Sequence, residues 1–225
     1  LRSTSSKDEK EIISKIKEIE NVIWLSQQQG EKWEIAIVAL VKNFLELDKI
    51  YKEIIFEHNN YIEKSDVSVA TKIYHYKNKY LFNKKLDEIP YCVIGEEIDN
   101  YILEKNQRKI LSVISDNARL SLVEISKQTN LDVKTISNNI KKLITDKIIL
   151  EFKPIINTNL LGLYHYHCFF TFDNMSFEKQ KKIINYIKNH QYTLYTTLSI
   201  GFAGLEFDIL LKKNLDLIKF VKKFK

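Results

Sequence analysis

Lys134, Thr135, Ser137, Asn138, Lys141 and Lys142 crowd into one short stretch, and their shared chemistry is that of phosphate and base contact. Lysine ammonium groups neutralise phosphates, while Ser, Thr and Asn hydrogen-bond phosphate oxygens or base edges. Asn carries the paired donor and acceptor that match an adenine edge in the major groove. No acidic residue interrupts the stretch between Val133 and Thr145. Taken alone, such a stripe is equally the solvated face of a scaffold helix, so the elements around it have to decide.

Those elements are well marked. Val133, Ile136, Ile140 and Leu143 recur at spacings of 3, 4 and 3, which predicts a helix with one face in a core and the polar stripe opposite. Asp132 is a good N-cap for it. Ser121 stands three residues before Glu124, the signature of a capping box, and predicts a short helix over Leu122–Thr129 with a turn at Asn130-Leu131-Asp132. A first helix is expected from about Ile98 to Ser115, with Ile98, Ile102, Ile110, Leu111 and Ile114 apolar. A β-hairpin of Ile148–Phe152 and Ile155-Ile156, turning at Lys153-Pro154, is expected after the third helix. Three helices followed by a hairpin spell a winged helix-turn-helix, and Lys153 on the wing joins the candidate DNA contacts.

Other chemistry is thinner. His165 and His167 alternate on one strand beside Cys168, and three such groups could bind zinc if a fourth converged, but no second cluster stands in the sequence and such alternation is common on strands, so no metal is expected. No serine, histidine and aspartate set can be read from spacing, since a catalytic triad is a matter of geometry. The five glycines are too scattered for a phosphate-cradling loop, so no cofactor is expected. The longest apolar run, Ile35 to Val41, is far short of the about 20 residues that cross a bilayer. Residues 1–11 have no secretory pattern. Two cysteines, Cys92 and Cys168, do not make a disulfide framework, and a reducing cytoplasm is expected. The net charge of +6 is uneven: 0 over residues 1–95, +1 over 96–160 and +5 over 161–225. Such an excess permits nucleic-acid binding without demanding it.

The two ends of the chain look alike. Ile12, Ile13, Ile16 and Ile19 in the first, and Ile183, Ile184 and Ile187 in the second, mark a helix. Each is followed by a strand, a turn at Gly30 or Gly201, a second strand and another helix. Ile35, Ile37 and Ala39 alternate in one copy, and Phe207, Ile209 and Leu211 in the other. A closing strand is read at Val67–Tyr74 for the first copy and a leading strand at Tyr164–Phe172 for the second. Together these spell the ferredoxin-like order strand-helix-strand-strand-helix-strand. In this reading the first copy lacks its opening strand and the second its closing strand; with a start at Leu1 rather than Met, the chain is expected to be part of something longer.

The central segment resembles the leucine-responsive regulator/asparagine-operon regulator (Lrp/AsnC) family. The resemblance rests on Arg108-Lys109-Ile110-Leu111, Asp116-Asn117-Ala118-Arg119-Leu120-Ser121, Glu124-Ile125-Ser126, Leu131, Thr135-Ile136-Ser137, Ile140-Lys141-Lys142-Leu143, Ile148-Ile149, Asn157 and Leu161-Gly162. Gly201, Leu205-Glu206-Phe207-Asp208 and, less closely, Gly30 and Trp33-Glu34 match that family's effector-domain hairpin. The family usually has glycine where this chain has Lys147 and Glu151, and arginines where it has Asn138-Asn139. The resemblance implies a transcription regulator that binds double-stranded DNA, assembles as a homo-oligomer and takes a small-molecule effector such as an amino acid. That effector is expected where hairpins meet, near Gly30, Trp33 and Glu34 or near Gly201, Phe202 and Gly204.

The expected fold class is thus α+β. A winged helix-turn-helix at 96–160 is flanked by two ferredoxin-like (βαββαβ) effector and oligomerisation domains, at 1–82 without its opening strand and at 161–225 without its closing one, with a linker at 83–95. Not an enzyme is the expectation. Two alternatives remain: a sirohaem-decarboxylase-like enzyme, which shares this architecture but wants more arginines than Arg2, Arg108 and Arg119, and an assembly module that does not touch DNA.

Overall fold

The computed structural model describes residues 6–28, 33–82, 91–95, 101–171 and 176–224. The chain divides into two compact units, one up to Val67 and one from Ser68 onward.

The first unit contains helix α1 (Ser6–Glu18), strands β1 (Val22–Gln27) and β2 (Ile35–Ala39), and helix α2 (Phe44–Glu57). The strands pair antiparallel, Leu25 opposite Ile37 and Gln27 opposite Ile35. Ile12 and Ile16 of α1 and Ile50 of α2 are buried, as their helical spacing requires. Asn43 caps α2 by accepting the Glu46 amide at 3.0 Å.

The second unit opens with strand β3 (Ser68–Tyr76) and strand β4 (Tyr91–Ile94). It continues through three helices, α3 (Lys105–Asp116), α4 (Leu122–Thr129) and α5 (Val133–Thr145). It ends with strand β5 (Tyr164–Phe170), helix α6 (Phe177–Asn189), strands β6 (Thr193–Gly201) and β7 (Leu205–Leu211), and helix α7 (Asn214–Val221). One five-stranded antiparallel sheet runs β4-β3-β6-β7-β5. Leu205, Phe207, Ile209 and Leu211 of β7 face Ile183 and Ile187 of α6 and Phe220 of α7 in the main core. Each such side chain taken from water stabilises the fold by roughly 1.5–3 kcal/mol. The apolar stripe of β7 is therefore covered by the unit's own helices.

Three sequence expectations change. The strand anticipated at Val67–Tyr74 as the close of the N-terminal copy is β3, and its hydrogen bonds go to β6, Val69 opposite Ile200 and His75 opposite Tyr195. Local sequence announces a strand but not its partner, and the edge of β6 supplies one. Residues 91–94, placed within a linker, form β4 against β3, with Cys92 opposite His75. At the end of β4, Gly95 has φ +91°, and a Cβ there would lie 2.3 Å from the Thr71 carbonyl oxygen, so only glycine fits. Finally, the first central helix begins at Lys105 rather than near Ile98. Ile98 lies outside the described residues, and Ile102 sits in the extended approach, 88% exposed.

Candidate nucleic-acid interface

The three central helices pack on Ile110, Ile125 and Ile136, with Ile114, Leu122, Leu131 and Ile140 around them. Their boundaries follow from side-chain caps. Glu104 and Gln107 form a capping box that starts α3. Ser121 and Glu124 form the one read from sequence for α4: the Ser121 amide donates to Glu124 Oε2 at 2.7 Å, and the Glu124 amide to Ser121 Oγ at 3.3 Å. Those hydrogen bonds from Ser121 hold the Glu124 carboxyl below its usual range. Asn130 ends α4 in the left-handed region, which Asn tolerates better than most residues. Asp132 then caps α5, accepting the Thr135 amide at 2.8 Å and the Thr135 hydroxyl at 2.6 Å, which lowers its pKa.

On α5, Ile136 and Leu143 are fully buried and Ile140 partly so, whereas Val133, expected in the core, is in the exposed first turn. Opposite them Lys134, Asn138 and Lys141 are exposed and Ser137 is half-buried. Two members of the stripe are already engaged. The Thr135 hydroxyl belongs to the helix cap, and Lys142 Nζ is 3.0 Å from Glu104 Oε1. That carboxylate, 38 residues away in sequence, raises the Lys142 pKa through its hydrogen bond and charge.

The wing differs from expectation. Residues 148–156 form no strand, and Ile155 is fully exposed. The segment's polar side chains reach the sheet instead. Lys77 Nζ meets Glu151 Oε2 at 2.9 Å, and Lys153 Nζ donates to the Tyr76 carbonyl at 3.3 Å while lying 4.4 Å from the centre of the Tyr195 ring. Lys153, placed among the DNA contacts by sequence, thus turns inward, and burial lowers its pKa.

Of the expected effector positions, Gly30 lies outside the described residues. Trp33 is half-buried, and Glu34 shares a shallow polar groove with Glu9, Gln27 and Gln28, whose two carboxylates disfavour an incoming carboxylate. Gly201 ends β6 with φ +123°. Phe202 packs on Phe169 at 5.5 Å between ring centres. The Gly204 amide donates to the Phe170 carbonyl of β5 at 3.0 Å, and the Ala203 amide to Ser68 Oγ of β3 at 3.2 Å, so both tie the turn to neighbouring strands.

Sequence reasoning missed a polar network on the sheet face opposite α6 and α7. His165 Nε2 is 2.6 Å and His167 Nδ1 3.0 Å from Asp208 Oδ1, and His167 Nε2 is 3.3 Å from Glu206 Oε2. Burial alone would lower the His167 pKa, but the hydrogen bonds its ring donates to the Asp208 and Glu206 carboxylates, with their charge, outweigh it and raise it to about 9. Cys168 points the other way, into the main core, where burial pushes its thiol up to about 12. Strand alternation signals this separation, but the carboxylate partners on β7 only become neighbours through the sheet register.

Residues 103–149 match the family model described as winged helix-turn-helix DNA-binding. The proline dehydrogenase transcriptional activator of Rhizobium radiobacter is 29% identical over 70 residues, which is 31% of this chain and 42% of that protein. The match thus spans well under half of that relative. An AsnC family transcriptional regulator from Agrobacterium tumefaciens is 14% identical, over 54% of this chain and 80% of that one, with a TM-score of 0.46. AsnC of E. coli is 17% identical over 54% and 80%, with a TM-score of 0.44. Over residues 103–149 the chain is thus similar to winged helix-turn-helix DNA-binding segments, and over 70 residues to that transcriptional activator.

Proposed function

We propose that this chain is a DNA-binding transcription regulator in which α5 enters the major groove of double-stranded DNA. The observation that carries this reading is the exposed face of α5 within a segment matched to DNA-binding winged helices: Lys134, Asn138 and Lys141 stand opposite buried Ile136 and Leu143. A helix fits the major groove, and the two lysines flank the Asn that suits an adenine edge. Lys142, paired with Glu104, and Lys153, turned toward the sheet, contribute less in this arrangement.

The same reading includes a homo-oligomer working in the cytoplasm and an amino-acid effector near the Gly201–Gly204 turn. The order β6-β7-β5, with α6 and α7 on one face, supports a ferredoxin-like assembly domain at 161–225. The effector is supported by the family resemblance rather than by free amides at the turn.

The test is selection of bound sequences from random duplexes, followed by anisotropy titration of the selected site. Lys141→Ala is expected to weaken binding to every sequence and to lower the salt slope by roughly one unit. Asn138→Ala is expected to cost about 1–3 kcal/mol at its preferred site and to flatten preference, with the salt slope unchanged. If both folded variants bind the selected site as the parent does, α5 is not the reader, and the assembly-module reading takes its place. Light scattering and thermal shift with each amino acid test the remaining parts.

A further inference from the structure

Glu151 leaves the three-helix domain just beyond α5 and is carried to the sheet, its side chain only 12% exposed. Lys77 holds one carboxylate oxygen, Oε2, at 2.9 Å. The other, Oε1, is buried and has no hydrogen-bond partner among the described residues. A buried carboxylate oxygen left unmatched is unusual, because its desolvation goes uncompensated. Oε1 points at two further ligand types. His75 Nδ1 is 3.7 Å away, and Cys92 sits directly opposite His75 in the β3–β4 ladder, on the same sheet face. The His75 nitrogen, the Cys92 sulfur and the Glu151 oxygen all lie within 4.8 Å of one another.

We propose that His75, Cys92 and Glu151 form a binding site for a divalent transition metal of the zinc type. Tetrahedral zinc with bonds of about 2.0–2.3 Å sets its ligand atoms roughly 3.3–3.8 Å apart, so the His75–Glu151 spacing already fits and the set closes by a small inward movement. Imidazole, thiolate and carboxylate together favour zinc or cobalt over magnesium or calcium, which take oxygen ligands alone. Three protein ligands leave a fourth position for water. Charge balances as well. Thiolate and carboxylate offset the two charges of the ion, so Lys77 and Lys153 nearby remain tolerable. Lys77 acts as the outer partner that orients the carboxylate, and Tyr195 packs edge-on against the His75 ring at 4.5 Å between centres.

Binding replaces the Cys92 S–H bond with a sulfur–metal bond and releases that proton to solvent. An ordinary cysteine thiol, with a pKa of about 8.5, still carries that proton at neutral pH. The ion would join three places, β3, β4 and the exit of the winged helix, through one bond each.

The test uses the reduced, tag-free full chain titrated with Co2+. The expected result is a thiolate-to-Co2+ charge-transfer band in the near ultraviolet with visible bands of a four-coordinate ion, displaced by Zn2+. Cys92→Ser is expected to abolish the charge-transfer band. Glu151→Gln is expected to keep the band and weaken binding by at least the ~10–100-fold that loss of an outer partner costs. Cys168→Ala, on the opposite face, is expected to change neither. Absence of the band at millimolar Co2+ overturns the proposal, as does a band that survives Cys92→Ser. Neither result touches the DNA-binding reading, which rests on α5.

Discussion

His167 illustrates how a residue's type is legible in sequence while its state is not. Alternation along Tyr164–Phe170 correctly sets His165 and His167 on one face and Cys168 on the other. That Asp208 and Glu206 hold His167 depends on β7 lying beside β5, which no local pattern records. The same limit explains Lys142 and Lys153: a stripe of lysines is readable, but Glu104 and the Tyr195 ring that engage two of them are distant in sequence. His167 has a folded pKa of about 9, above the ordinary 6.5 of the unfolded chain. Its contribution to stability is therefore complete below pH 6.5 and is lost as pH rises through about 9. The window from 6.5 to 8 isolates it, since Lys79, lowered to about 8 by burial, and His190, lowered to about 4 by burial, change little there. Denaturant titrations across that window should show stability falling by roughly 1–2 kcal/mol. His167→Gln should flatten the trend; an equal slope in that variant would remove His167 as the cause.

At the scale of elements, caps were the most legible feature and the wing the least. Ser121, Glu124 and Asp132 name their helix starts because capping is a contact between residues three apart. The end of α5 is equally local. Lys147 has φ +56°, the Lys147 amide donates to the Ile144 carbonyl at 3.1 Å and the Ile148 amide to that of Leu143 at 2.8 Å. These are the two bonds of a Schellman ending, with a lysine where glycine is the usual occupant. The sequence departure at Lys147 is thus real in the backbone: the chain keeps the left-handed turn and accepts the strain of a Cβ. Lys147→Gly should raise thermal stability, by up to about 1 kcal/mol once the greater freedom of glycine in the unfolded chain is set against the relieved strain. Lys147→Val, whose branched Cβ fits that region worst, should lower it, and the reverse order in melting curves would contradict the assignment. The wing is not legible in sequence because Ile148–Ile156 has strand-like composition, while Glu151 pairs with Lys77 just past β3 and Lys153 reaches Tyr76 of β3 and the Tyr195 ring of β6, contacts that forestall a local hairpin.

For the whole molecule, the internal likeness of the two ends was legible as element order, helix-strand-strand-helix in each. The division of strands between them was not, because β3 follows the first set in sequence and hydrogen-bonds with the second. No described helix is long and apolar enough to cross a membrane. The sheet order β4-β3-β6-β7-β5 also places the three-helix domain, in sequence, between the two edge strands β4 and β5. This arrangement sets an order of events during folding. Tyr76 meets Thr196 across 120 residues and Ser68 meets Ala203 across 135, so the β3–β6 ladder closes a very long loop. The helices of residues 105–145 need only near neighbours. Non-local ladders form more slowly than local helical contacts. Refolding from denaturant should accordingly show an early rise in helical circular dichroism and a later phase in which β3–β6 amides gain protection. Simultaneous protection of both sets would mean that the helical insert does not fold ahead of the strands that enclose it. A chain of this topology gains its three-helix part first and the frame that holds it last, so a nascent molecule can carry a finished helical insert before the sheet is in place to present it.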